Sequence, residues 1–262
     1  MIKGLFTSAT GLATQTAFLD VTANNLANIN TTAFKRSQPA FEDLIYITAR
    51  VPGSDISQGF QVPTGLQFGS GSVLSGTNKI FIEGVLINTG APFNVAIDGE
   101  GFFQVTLPNG DLRYTRDGTL ALNSTGNIVT QDGFTINPPI TIPQDATSVA
   151  IGTDGTVTVT EPGSPTPVQV GQLQLVRFVN PPGLSSEGRN LYAETASSGT
   201  PIIGPPGQQG NGFIRQGFLE GSNVSAVNEL INLILAQRAF EFNTRAVRTA
   251  DDMLSFTNNL TR

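Results

Sequence analysis

The chain has 262 residues, enough for one or two domains with a sizeable core. It carries 14 Lys+Arg against 20 Asp+Glu, and the resulting net charge of −6 argues against a nucleic-acid backbone as partner. Cysteine and histidine are both absent, which excludes disulfides, zinc fingers, thiol catalysis and imidazole acid–base chemistry, and with them most hydrolase and metal-enzyme mechanisms.

The first element is a helix predicted from Ile2 to about Asn30, about 43 Å long at ~1.5 Å per residue. Leu5, Leu12, Leu19 and Leu26 recur every seven residues. Ile2, Ala9, Thr16 and Ala23 sit three positions before them, so both the a and d positions of a coiled-coil heptad are filled. Between Lys3 and Lys35 the only charge is Asp20. With no i,i+4 ion pairs and many weak helix formers, this helix is marginal alone in water and needs partners on more than one face. After Lys3, residues 4–15 mix Thr, Ser, Gly and Gln into the apolar positions, unlike the compact apolar region of a cleaved secretory signal. The expectation is a cytoplasmic protein, or one exported without a cleaved signal. No run of 18 apolar residues is present, so no membrane span is predicted.

Residues 52–78 are rich in Gly, Ser and Gln but carry spaced apolar side chains, Phe60, Val62, Leu66, Phe68, Val73 and Leu74. That pattern predicts an extended segment packed against something. From Phe93 the period changes to two. Runs at 94–97, 102–105, 120–122 and 127–129 are separated by Asn109-Gly110, Asp117-Gly118, Thr125-Gly126 and Asp132-Gly133. Turn dipeptides about every eight residues predict an antiparallel β domain. Asp154-Gly155 marks a further hairpin, Gln172 to Val179 reads as one more strand, and the Gly- and Pro-rich residues 197–212 read as loop.

The last element is a helix expected to be capped at Ser222-Asn223 and to run to about Asn259. Leu235, Ala239, Phe242, Ala246, Thr249, Met253, Phe256 and Leu260 alternate at spacings of four and three, and Leu233, Phe240, Val247 and Leu254 form an adjacent row. Glu241 with Arg245 and Arg248 with Asp252 have ion-pair spacing. Helical seams at both ends predict that the termini pair. Only 13% of residues are charged, about half the usual ~25%. That fits a surface covered by neighbours, the alternative being an all-β domain rich in Thr, Asn and Gln.

Candidate chemistry is sparse. Asp98-Gly99-Glu100-Gly101 places two carboxylates close together, but a tight turn is the preferred reading, because a calcium loop needs further oxygen ligands at alternate positions. No phosphate-binding glycine loop is present. Asn30-Thr31-Thr32 and Asn123-Ser124-Thr125 match only the short glycosylation tripeptide. No catalytic, cofactor-binding or metal-binding residue is predicted.

Leu19 to Lys35, LDVTANNLANINTTAFK, resembles the signature of bacterial flagellar rod and hook proteins, with Asn24, Asn25, Asn28, Asn30 and Phe34 at its helix exit. Residues 217–224, GFLEGSNV, with Gln237-Arg238-Ala239-Phe240-Glu241 and Asp252-Met253-Leu254, are similar to that family's C-terminal helix. The segments 95–103, 114–118, 151–155 and 176–181 extend the likeness to rod members of the family. One departure is Ala33, where Gly is expected before the aromatic residue. If the position needs φ > 0, Ala is strained there, and the helix exit is expected to follow another path.

The resemblance implies an α+β fold: long N- and C-terminal α-helices paired as a coiled coil, a central antiparallel all-β domain, and extended connecting segments. The expected division is an N-terminal helix at 1–34, a connecting segment at 35–92, an outer β domain at 93–196, a return connection at 197–218 and a C-terminal helix at 219–262. It also implies a structural subunit, not an enzyme. Such a subunit assembles with copies of itself into a rigid helical tube that crosses the periplasm and transmits torque, after export through the flagellar apparatus. Implied partners are proximal rod proteins below, hook protein above, and the peptidoglycan-ring and outer-membrane-ring proteins around it. Subunit packing is expected on Ile2, Leu5, Ala9, Leu12, Leu19, Ala23 and Leu26 of the first helix and on both apolar rows of the last. Phe60, Val62, Leu66 and Phe68 are expected to stiffen the tube. Alternatives are a proximal rod or hook-type axial subunit, or a secreted β-rich adhesin trimerised by its helices.

Overall fold

The structure is a computed structural model that describes residues 2–53, 55–57, 60–61, 63–163 and 166–260. Val62 lies outside the described residues, as do the side chains of Ile2, Phe60 and Leu260. The fold is α+β, with one helix at each end and antiparallel strands between them. Among the described residues no helix is long and apolar enough to cross a membrane. The chain divides into two compact units, one of Met1–Ala27, Ser37–Asn78 and Ser225–Arg262, the other of Asn28–Arg36 and Lys79–Val224.

In the first unit, helix α1 (Ile2–Ala27) packs along helix α2 (Ala226–Leu260). They approach closely at Gly11, where an added Cβ would lie 2.9 Å from the side-chain nitrogen of Asn243. The strand Ser37–Asp43 pairs with Ser72–Lys79, and Tyr46–Arg50 pairs antiparallel with Leu66–Gly69. Polar and aromatic contacts fasten this extended chain to α1. Phe18 meets Phe41 edge to face at 6.2 Å, and the Ser72 amide donates to Thr10 Oγ1 at 3.4 Å. Asn25 acts as a strand partner: its Oδ1 accepts from the Ser37 amide at 2.9 Å and its Nδ2 donates to the Ser37 carbonyl at 2.8 Å.

Helix α1 ends earlier, and helix α2 begins later, than the sequence pattern predicts. α1 stops at Ala27 because the asparagine-rich exit offers the backbone other partners. The Thr31 amide returns to the Asn28 carbonyl, and the Thr31 hydroxyl donates to Asn28 Oδ1 at 3.0 Å. α2 begins at Ala226, and its first turn is closed by the Glu229 amide donating to the Ser225 carbonyl. Asn223 is not its cap. Its Oδ1 accepts from the Arg36 amide at 2.7 Å and its Nδ2 donates to the carbonyls of Ile80 and Ile82. Glu241 takes its hydrogen bond at 2.8 Å from Arg238, one turn before it, and not from the predicted Arg245 one turn after it.

The second unit is built on a nine-stranded antiparallel sheet. Its central strand, Phe102–Thr106, pairs along one edge with Leu112–Thr115 and shares the other between Thr135–Asn137 and Leu175–Arg177. The two-residue period of a strand sends Phe103 and Val105 into the main core with Ile97, Ile136, Leu173 and Leu175. Phe102 points to the opposite face, into an aromatic cluster with Tyr114, Phe178, Tyr192 and Phe81. Ser148–Ile151, Thr156–Thr160 and Val168–Gln172 form a separate three-stranded sheet. Within residues 197–218, Ile202–Gly204 pairs with Leu175–Arg177, and Phe213–Gln216 pairs with Val95–Asp98.

Two local expectations are corrected here. Gln172 to Val179 is not one strand: the ladder ends at Gln172, the Leu173 amide donates to the Gly155 carbonyl, and Leu175–Arg177 joins the nine-stranded sheet. Leu173 and Leu175 are both buried in the main core on either side of that change of sheet. Asp117-Gly118 is not a hairpin turn with positive φ either. Gly118 is needed for close approach, since a Cβ there would sit 1.5 Å from the Val95 carbonyl oxygen.

Ala33, by contrast, does adopt φ = +55° and is almost fully buried. Its amide donates to the Glu220 carbonyl at 2.8 Å, so the chain keeps the left-handed conformation despite its Cβ, and the altered path expected at this position is not taken. Left-handed geometry costs an L-residue about 1–2 kcal/mol, partly offset by the lower unfolded-state entropy of Ala relative to Gly. Ala33→Gly is therefore expected to stabilise the chain by about 0.5–1 kcal/mol, read as a higher midpoint in thermal melts.

Candidate functional site

The helices present two kinds of surface. On α1 the most buried side chains are polar, Thr14, Thr22 and Asn25. Leu5, Leu12, Leu19 and Leu26 are half-buried, and Ala9 and Ala23 are exposed. α2 is apolar on two sides. The side against α1 carries buried Ala236 and Glu229, with Leu233, Asn243, Val247 and Leu254 half-buried and Phe240 at its margin. The other side carries the row that the sequence marks most strongly. Leu235, Ala246 and Met253 are exposed there, and Phe242 and Phe256 are each 65% exposed; Ala239 is half-buried. Among the described residues, nothing covers this row of large apolar side chains on one helix face.

The extended part of the first unit also carries exposed apolar side chains. Ile45, Tyr46, Ile47, Val51, Leu66 and Phe68 are all exposed, with Lys3 Nζ 5.9 Å from the Phe68 ring centroid. The asparagines of the family motif divide into two roles. Asn25 is buried and joins Ser37 and, at 3.5 Å, Glu229 Oε2, whereas Asn24 and Asn30 are exposed. Phe34 lies under the Lys79 ammonium at 5.1 Å.

Sequence reasoning missed a buried ion cluster in the second unit. Glu220 and Lys35 are 0% exposed at their side chains and Arg116 is 3% exposed. Glu220 Oε1 accepts from Lys35 Nζ at 2.5 Å and from the Gly84 amide at 3.0 Å, while Oε2 accepts from Arg116 Nε at 2.8 Å. Lys35 also donates to the Ile82 carbonyl at 2.7 Å. The Arg116 guanidinium donates to the carbonyls of Gly99 and Gly101, each at 2.9 Å. The available signal was that Lys35, Arg116 and Glu220 each fall within one of three motifs of a charge-poor chain, Glu220 as the sole charge of its own. Spacing alone does not bring them together.

Electrostatics follows from this packing. Burial, with Arg116 alongside, lowers the pKa of Lys35 from its ordinary 10.5 despite the attraction of Glu220. Burial alone would raise Glu220, but Arg116 and Lys35 outweigh it and hold the carboxyl below 4.5. Burial drives the neighbouring Tyr192 hydroxyl up to about 12.

The Asp98-to-Gly101 segment is a turn between two strands, and its carboxylates face arginines. Asp98 Oδ2 accepts from Arg215 Nε at 2.6 Å, and Glu100 lies 3.7 Å from Arg177. Among the described residues no group of three or more His, Cys, Asp or Glu could hold a metal ion.

Comparison with known proteins agrees with both ends and the middle. Residues 5–35 match the family description of flagella basal body rod proteins, 96–159 that of the flagellar hook protein FlgE/F/G D1 domain, and 215–260 that of the C-terminal part of flagellar basal body rod FlgEFG proteins. The chain belongs to this flagellar rod and hook family, a family of structural proteins and not of enzymes. Within it, the flagellar basal-body rod protein FlgG of Buchnera aphidicola subsp. Schizaphis graminum is 47% identical over 97% of this chain and 98% of its own length. FlgG of Borreliella burgdorferi is 42% identical, and FlgG of Bacillus subtilis 36%, each over 100% of both chains.

Removing the anion of a buried cluster leaves its cations uncompensated. Glu220→Ala is expected to destabilise the second unit by about 3–5 kcal/mol. Lys35→Met is expected to cost less, because Glu220 keeps Arg116 and the Gly84 amide. Urea denaturation of the two variants checks the order.

Proposed function

We propose that this chain is a structural subunit of the distal flagellar rod, whose copies pack through their terminal helices into a rigid tube that carries motor torque across the periplasm to the hook. The observation that carries this reading is the second apolar face of α2, where Leu235, Phe242, Met253 and Phe256 stand uncovered. α1 adds an almost uncharged surface with exposed Phe6, Ala9 and Ala23. In a tube wall each helix is contacted by its own chain and by neighbouring copies, and coiled-coil packing of the heptad rows supplies those contacts. Torque transmission needs many cooperating contacts and no active site.

The distal placement draws support from one bacterium. FlgG of Caulobacter vibrioides is 44% identical over 99% of this chain, whereas FlgF of the same organism is 35% identical over 85%. The proposed neighbours are proximal rod proteins, hook protein, and the ring proteins of the peptidoglycan and outer membrane. Export through the flagellar apparatus belongs to the same proposal.

Stiffness is a separate proposal. Rod and hook subunits share terminal helices, so the difference must lie elsewhere. We assign it to residues 52–78, whose Leu66 and Phe68 are exposed and available to bridge neighbouring copies.

Two experiments test these readings. Leu12→Asp, Leu26→Asp or Phe242→Asp is expected to abolish tubes seen by electron microscopy while the β-rich unit still unfolds cooperatively; unchanged filament length and yield would overturn the assembly proposal. Deleting residues 52–78 is expected to give flexible, curved assemblies, and a straight, rigid rod from that variant would refute the stiffening role.

A further inference from the structure

Glu220 gathers four separate chain segments of the second unit. Its backbone carbonyl accepts from the Ala33 amide at 2.8 Å. Its carboxylate holds Lys35, the Gly84 amide and Arg116, and Arg116 in turn holds the Gly99–Gly101 turn. Two buried cations thus depend on one carboxylate. The main core of this unit, around Phe103, Ile136 and Leu175, is apolar and has no comparable dependence on a proton.

We propose that Glu220 makes this junction an acid-released clamp: protonating its carboxyl detaches residues 28–36 and 217–224 from the β body while the apolar core stays folded. A neutral carboxyl cannot compensate Lys35 and Arg116, and neither cation can shed its charge in acid. Their exit to water takes the chain segments with them.

The neighbouring charges set the direction. In the closed form Glu220 titrates below 4.5, so the clamp is fully stabilised above that pH and loses stability as pH falls toward the closed-state value. Glu83 is raised, by burial first and then by Asp98 and Glu220, so it takes its proton at higher pH. That step leaves Glu220 alone against the two cations. Asp98 is held by Arg215, and Tyr192 stays neutral throughout the acid range.

The test is hydrogen exchange on the full chain from about pH 6 to about pH 3, expressed as protection factors so that intrinsic rates cancel. At Ala33 and Gly84, protection is expected to fall about tenfold per pH unit below 4.5, while amides of Phe102–Thr106 hold theirs. Glu220→Gln is expected to remove this pH dependence. Lys35→Met, which weakens the hold on Glu220 but leaves the carboxylate paired with Arg116, is expected to shrink the total loss. Loss at Ala33 and Gly84 in step with the core, no loss at all, or a loss as large in Lys35→Met as in the parent chain would each overturn the clamp. The parent and Lys35→Met decide the matter even if Glu220→Gln fails to fold.

Discussion

Glu220 closes a ring of polar contacts among residues that are far apart in the chain, and the junction of those segments within the second unit hangs on it. Its two oxygens are filled by Lys35, Arg116 and the Gly84 amide, and its own carbonyl fixes Ala33 in a left-handed conformation. A buried ion cluster is a poor source of stability, because desolvation cancels much of the Coulombic gain. What it supplies here is placement. The planar fork of Arg116 reads the carboxylate on one side and the Gly99 and Gly101 carbonyls on the other, a geometry no apolar side chain reproduces.

The helical unit follows a different logic. α1 buries threonines and asparagine, fastens an extended ribbon through Thr10, Phe18 and Asn25, and leaves small residues such as Ala9 and Ala23 in the open. α2 spends one apolar row on α1 and leaves the other uncovered. A charge content of 13% is low for a free-standing chain but unremarkable for one buried among copies of itself. Membership in the flagellar rod and hook family gives those uncovered rows their sense.

Legibility differed between the two units for a physical reason. Periodicity reports which face of an element is apolar, and it found both helices and the first strands of the body, but not the strands between Ser185 and Glu220. It does not report which neighbour covers that face. The 235/242/249/256 row looks like the stronger seam in α2, yet the weaker row with Leu233, Val247 and Leu254 meets α1. Asn223 has the chemistry of a helix cap, but carbonyls at Ile80 and Ile82 and the Arg36 amide claim it first.

The sequence by itself determined the α+β class, the absence of His and Cys chemistry, the apolar rows and the family motifs, because these are properties of local pattern and composition. Tertiary structure alone decided that Lys35, Arg116 and Glu220 meet, that Gly118 is required by the Val95 carbonyl, and that residues 172–179 split between sheets. Each of these depends on contacts between segments distant in the chain, and spacing along a sequence carries no measure of distance across a fold.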